Sequence, residues 1–133
     1  GWDVLTRLLT ADEDPNVRAE AANALASYGV ERSWPLLQAA FSADGAWLVR
    51  CSILSALAEQ PEIKLSWLLE LAQVAITDAD GTVRVSGAEI LGRIVRDGID
   101  QLIGADARAL LQPLQQDTDH RVVAAALNGL QLS

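Results

Sequence analysis

Three segments of this chain read Asp-x-Asp-x-x-Val: Asp12 to Val17, Asp78 to Val83 and Asp117 to Val122. A fourth, looser copy runs from Asp44 through Val49 to Cys51 and is read as carrying an inserted turn before its valine. Aligned on Val17, Val49, Val83 and Val122, the copies lie 32, 34 and 39 residues apart. That period is the length of a helix–turn–helix repeat, and a repeat that short cannot bury its apolar face alone. The chain must therefore stack like units on one another.

The residues after each valine are spaced for a helix. Offsets four, five and eight give Ala21, Ala22 and Leu25; Ile53, Leu54 and Leu57; Gly87, Ala88 and Leu91; Ala126, Leu127 and Leu130. These offsets share one face of a 3.6-residue helix. Second helices are predicted over roughly 15–28, 46–60, 81–96 and 119–131. Asp14, Asp80 and Asp119 stand where N-caps belong, and Pro15 suits a first helical turn.

A first helix precedes each turn. Trp2, Leu5, Leu8 and Leu9 mark one; Trp34, Leu37, Ala40 and Phe41 the next; Trp67, Leu68, Leu71, Val74 and Ala75 the third; Leu110, Leu111 and Leu114 the fourth. Gly29, Gln60-Pro61 and Asp97-Gly98 are stop signals between repeats. A connection from Asp97 to Asp106 is taken to absorb the longest interval. The expected architecture is one all-α domain, a right-handed α-solenoid of four helix pairs, with repeats at about 1–29, 30–60, 61–97 and 98–133.

The turn acids invite a second reading, since "DADG" resembles the start of a calcium loop. With Gly81 at the loop glycine, Ile76 and Gly87 would fill the first and twelfth ligand positions, and neither side chain binds calcium. No metal site and no cofactor are expected. Lone Cys51 and lone His120 cannot make a zinc site unaided. Cys51 is read as a small, half-buried repeat residue and His120 as a turn residue, so no catalytic group is assigned and the chain is not expected to be an enzyme.

Net charge excludes other classes. Ten basic residues stand against eighteen acidic, a formal charge of -8. No basic tract is present to hold nucleic acid or an anionic membrane, and no apolar run reaches the roughly 18–20 residues of a membrane span. One cysteine fits a reducing compartment, and a cytoplasmic location is expected. The chain starts at Gly1 without methionine, which suggests a trimmed chain or a piece of a longer protein. Apolar ends, with Trp2 first and Val122, Leu127, Leu130 and Leu132 last, suggest self-association or cover by further chain.

"DPNVRAEAANALASYG" (14–29) and "DGTVRVSGAEILGRI" (80–94) resemble HEAT repeats, specifically the short HEAT-like repeats of phycobilisome lyases. The resemblance implies first helices on the convex side, second helices lining the concave side, and an Asp–Arg ladder along the turns. In that ladder Asp14, Asp80 and Asp119 match the acid, and Arg18, Arg50 and Arg84 match the base, as structural struts.

Two surfaces are candidates for binding. The turn acids, Asp12 to Asp14, Asp44, Asp78, Asp80, Asp117 and Asp119, would line one edge. The open face of the second helices carries Ala19, Glu20, Asn23 and Ser27; Cys51, Ser52, Ser55 and Glu59; Val85, Ser86, Glu89 and Arg93; Ala124, Ala125, Asn128 and Leu132. That face is small, mildly polar and free of lysine, so a partner could approach closely. Glu20, Asn23, Ser52, Ser55, Glu59, Ser86, Glu89 and Arg93 are the expected contacts. The expected function is protein–protein binding as a scaffold or adaptor, the partner being another protein. The alternative implied by the resemblance is a bilin lyase subunit or a phycobilisome assembly or degradation factor.

Overall fold

The computed structural model describes residues 1–131. Every described element is helical, and the described residues divide into two compact units, 1–63 and the part from residue 64 onward. The all-α class expected from the repeat is the observed one.

The first unit holds α1 (Trp2–Ala11), α2 (Pro15–Ala26), α3 (Val30–Ala43) and α4 (Trp47–Ala58). The second holds α5 (Leu65–Ala75), α6 (Gly81–Asp97), α7 (Leu102–Leu111), a 3-10 turn at Gln112–Gln116, and α8 (His120–Gln131). Within each unit the second helices pack side by side, α2 on α4 and α6 on α8, and each first helix lies against its own second helix. Leu132, expected on the open face of α8, lies outside the described residues.

One local rule starts the turn within each helix pair. The first aspartate accepts a hydrogen bond from the amide two residues on: Asp12 from Asp14 at 2.9 Å, Asp44 from Ala46 at 3.0 Å, Asp78 from Asp80 at 2.9 Å and Asp117 from Asp119 at 2.8 Å. Such side-chain turns offer the backbone an alternative to helix and so end one helix before the next begins. The second aspartate then caps the new helix. Asp14 accepts from the Asn16 amide at 2.8 Å, Asp80 from Thr82 and Val83 at 2.8 and 3.1 Å, and Asp119 from Arg121 at 2.9 Å. These bonds satisfy amide donors that a helix N-terminus leaves without partners.

The second turn differs from expectation. It has no insertion: Asp44 stands five residues before Val49, as Asp12 stands five before Val17. Ala46 simply replaces the capping aspartate, and α4 starts without a side-chain cap. The connection after α6 is also shorter than expected. Asp97 belongs to α6 and α7 begins at Leu102, so the extra residues of the last interval lie mostly in α6, which has 17 residues against 12 in α2 and α4. Gly104 and Asp106 read as loop residues, yet Gly104 is buried where a Cβ would strike the Gly98 carbonyl. Close backbone approach, rather than a break, explains that glycine.

Helix packing follows the repeat face. Leu25, Leu37, Val49, Ile53, Leu54 and Leu57 are fully buried in the first unit, and Leu68, Val83, Leu91, Ile94 and Leu111 in the second. Burying one such side chain contributes about 1.5–3 kcal/mol. Trp2 sits edge-on to Tyr28, ring centres 5.4 Å apart, and the Arg32 guanidinium lies 4.1 Å over its ring. That stack joins the start of α1 to the α2–α3 turn.

Three positions depart from the expected face. Leu127 and Val74 were placed in the core but are exposed, and Ala19 was placed on the open face but is buried. A helix face that buries a wide apolar stripe draws in neighbouring small residues such as Ala19. Leu127 is on the last helix, and no later described helix covers it.

Candidate functional site

The second helices of each unit carry two structures: arginine contacts to the turns and a groove.

The arginine contacts begin with Arg18. It donates through Nε to Asp44 at 2.8 Å and through Nη2 to the other Asp44 oxygen at 3.1 Å. Its Nη1 donates to the Asp12 and Glu13 carbonyls at 2.9 and 3.2 Å. Arg84 repeats the pattern, with both Asp117 oxygens at 3.1 Å and the Asp78 and Ala79 carbonyls at 2.9 and 3.1 Å. Arg50 holds the Asp44 carbonyl at 3.0 Å. The acids gripped by Arg18 and Arg84 are thus Asp44 and Asp117, the first acids of the following turns. Asp14, Asp80 and Asp119, matched to that role by resemblance, point their carboxylates at their own helix N-termini instead. A cap must sit beside the first helical amides, which leaves the preceding acid to reach the neighbouring turn.

These contacts shift the acids. Burial pulls the Asp44 carboxyl upward, but the Arg18 guanidinium and the Ala46 amide hold it below its ordinary value. Arg84 holds Asp117 low against a burial effect of opposite sign. Hydrogen bonds from the Arg121 guanidinium and amide bring Asp119 down to about 2. Hydrogen bonds to the ionised form favour it, which is the cause in each case. The turn acids, including both carboxylates of the Asp78–Asp80 stretch that opens "DADG", are therefore occupied in turns, caps and arginine pairs. Among the described residues no cluster of three His, Cys, Asp or Glu side chains is arranged to hold a metal ion.

In the first unit a groove of about 330 Å³ is lined by Asn23, Cys51, Ser52, Ser55, Ala56, Glu59 and Gln60. Five of the expected open-face residues meet there: Asn23 from α2, with Cys51, Ser52, Ser55 and Glu59 from α4 and its C-cap. Glu20 does not join them. It borders an apolar recess with Leu5, Leu8 and Val17 at the α1–α2 side.

The second unit has a larger groove, about 520 Å³, between α6 and α8. Val85, Glu89, Gly92, Arg93 and Arg96 line it from α6, and Arg121, Ala124, Ala125, Asn128 and Gly129 from α8. Ser86 is half-buried and is not part of this lining. Its floor is backbone. A Cβ on Gly92 would stand 3.2 Å from the Gly129 Cα, so the two helices touch main chain to main chain. Arg96 and Arg121 were missed by sequence reasoning. The displaced arginine of the fourth copy, Arg121 in place of Val123, was the available signal. At its early offset it leaves the turn contacts, pairs with Asp119 at 2.8 Å, donates to Thr82 Oγ1 at 3.2 Å and borders the groove.

Paired helices joined by Asp turns, with the second helices packed side by side in each unit, define a helical-repeat protein. Residues 2–58, which span α1 to α4, match the family model for HEAT repeats. The match supports a HEAT-like repeat family and does not separate the phycobilisome-lyase type from other HEAT repeats. HEAT repeats generally mediate protein–protein interaction. No curated protein and no solved structure matches the chain. No helix among the described residues is long and apolar enough to cross a membrane.

Proposed function

We propose that the chain is a scaffold or adaptor module in the cytoplasm, which binds another protein through the grooves of its second helices and performs no reaction of its own. The observation that carries this reading is the lining. Ser52, Ser55 and Ala56 in one groove, and Gly92, Ala124, Ala125 and Gly129 in the other, are short side chains set on packed helices. Rigid elements with small side chains admit a partner's surface at low entropic cost. The turn edge is a weaker candidate, because its carboxylates already accept bonds from their own turns or from arginines.

The test is capture of partners from the native host by the immobilised chain, read by mass spectrometry. A Ser55→Arg, Ala124→Arg variant should lose the partner. A Ser42→Arg variant, on the exposed side of α3, should keep it, and circular dichroism should show both folded. Capture that survives the groove variant but fails with Ser42→Arg would place the binding surface elsewhere.

A further inference from the structure

The two grooves differ in charge. Glu59 is the one charged residue lining the α2–α4 groove, whereas the α6–α8 groove has Arg93, Arg96 and Arg121 against Glu89. Three of the chain's ten basic residues thus gather at one groove.

Arg96 and Arg121 retain capacity for a ligand. Arg96 meets Asp97 at 3.6 Å, beyond hydrogen-bond distance. Arg121 commits three donors, two to Asp119 and one to Thr82. A guanidinium has five. The Arg96 and Arg121 side chains are 56% and 59% exposed, on α6 and α8 respectively. Between them the floor is the Gly92–Gly129 contact, and the α8 wall is Ala124, Ala125 and Asn128. An extended main chain can lie on such a floor while its side chains reach the arginines on either wall.

We propose that the α6–α8 groove binds an acidic peptide segment of the partner protein, with carboxylates paired to Arg96 and Arg121. This rests on the reading of the second-helix grooves as protein-binding surfaces and adds the chemistry of one of them. Arginine suits the task because its planar fork meets a carboxylate through two parallel bonds. Nucleic acid is the poorer occupant. Among the described residues no aromatic side chain lines the groove, so nothing is there to stack a base.

The experiment is a fluorescence-anisotropy titration of the whole chain with a labelled oligoglutamate peptide, an oligoglutamine peptide of equal length, and an oligothymidylate. Oligoglutamate should bind at least about tenfold more tightly than oligoglutamine and weaken as salt is raised. Arg96→Glu with Arg121→Glu should lower that affinity by a further order of magnitude or so, and Ser42→Arg, outside both grooves, should leave it unchanged. Should the double reversal fail to fold by circular dichroism, Arg96→Gln reads the same loss at smaller amplitude. Equal binding of the two peptides, no binding of oligoglutamate, or tighter binding of oligothymidylate overturns the proposal. If oligoglutamate fails while Ser55→Arg, Ala124→Arg still blocks partner capture, the acidic class is wrong and the groove reading stands. If oligoglutamate binding depends on Arg96 and Arg121 while that variant captures its partner normally, the acidic site stands and the groove reading fails.

Discussion

Arg18 and Asp44, twenty-six residues apart, are joined by two parallel hydrogen bonds, Nε to Oδ2 at 2.8 Å and Nη2 to Oδ1 at 3.1 Å. Arg84 and Asp117 make the same pair in the second unit. Each arginine also holds two carbonyls of its own turn. One side chain thus fixes the entry to its own helix and ties that turn to the next, with the pair largely withdrawn from water at 17% and 9% side-chain exposure for Arg18 and Asp44.

The fork makes Arg18→Lys non-conservative, since an ammonium keeps the charge but cannot make parallel bonds. Arg18→Lys should lower the urea midpoint of unfolding, and Arg18→Ala should lower it further. In a double-mutant cycle with Asp44→Ala the two losses should be less than additive, the sign of a direct coupling. Strict additivity would show that the pair contributes nothing beyond its separate members.

Acid should weaken these pairs as their carboxylates take up protons. Asp44, Asp117 and Asp119 all have folded values below the ordinary carboxylate range. A depressed folded pKa means that the unfolded chain takes up protons first as pH falls. The stability from these groups is therefore complete above the unfolded value of about 3.9 and is lost as pH falls through the folded ones. For Asp119 that loss runs down to about 2. A carboxyl-detected NMR titration should find its midpoint there, and Arg121→Gln should move it back toward the ordinary value. An unmoved midpoint in that variant would remove Arg121 as the cause.

The turn geometry also explains how far the sequence could be read. Aligning four valines located all four second helices, because helix starts are set locally by caps and by the apolar face that follows. Their observed bounds, 15–26, 47–58, 81–97 and 120–131, differ from the expected ones by a few residues at most. The arginine partners were not legible in the same way. Both aspartates of a turn have the same chemistry, and only three-dimensional placement shows that one must face its own helix while the other faces a neighbour's arginine. The 3-10 turn at Gln112–Gln116 was not read from the sequence; Pro113, which lacks the amide that a continuing α-helix needs, was the unused signal. Of the open-face residues, those on α4 were brought together because their helical spacing is intact. Arg96 and Arg121 escaped because they lie outside the offsets that define the face.

Leu57 and Leu91 hold equivalent positions in α4 and α6, and both are fully buried. Truncating either to alanine removes apolar area and leaves a cavity, a combined cost of ~2–5 kcal/mol. Urea unfolding monitored by circular dichroism should report it for each. A loss under about half a kcal/mol would mean that the site collapses around the smaller residue and that the repeat register does not set the core.

Glycine at the α6–α8 crossing tests the packing that forms the floor of the larger groove. In an isolated helix, alanine is favoured over glycine by about 1 kcal/mol, so propensity alone would make Gly129→Ala stabilising. The contacts oppose it. A Cβ on Gly129 would stand 2.8 Å from Leu111 Cδ1 and 3.1 Å from the Gly92 Cα. Leu111 is fully buried, with little room to turn aside, and a backbone Cα gives way only if the helix moves. Overpacking of this kind costs about 1–3 kcal/mol, enough to outweigh the propensity gain. Gly129→Ala should therefore be net destabilising in urea unfolding. Gly92→Ala, whose Cβ meets the Gly129 Cα at 3.2 Å and nothing else within 4 Å, should be affected less. Gly45→Ala is the control, with open space around its Cβ, and should be neutral or slightly stabilising. Because both crossing substitutions force α8 away from α6, they should also change oligoglutamate binding while Gly45→Ala does not. A Gly129→Ala variant more stable than the parent would show that α8 is not seated on Gly92, and the backbone floor of the groove would have to be abandoned.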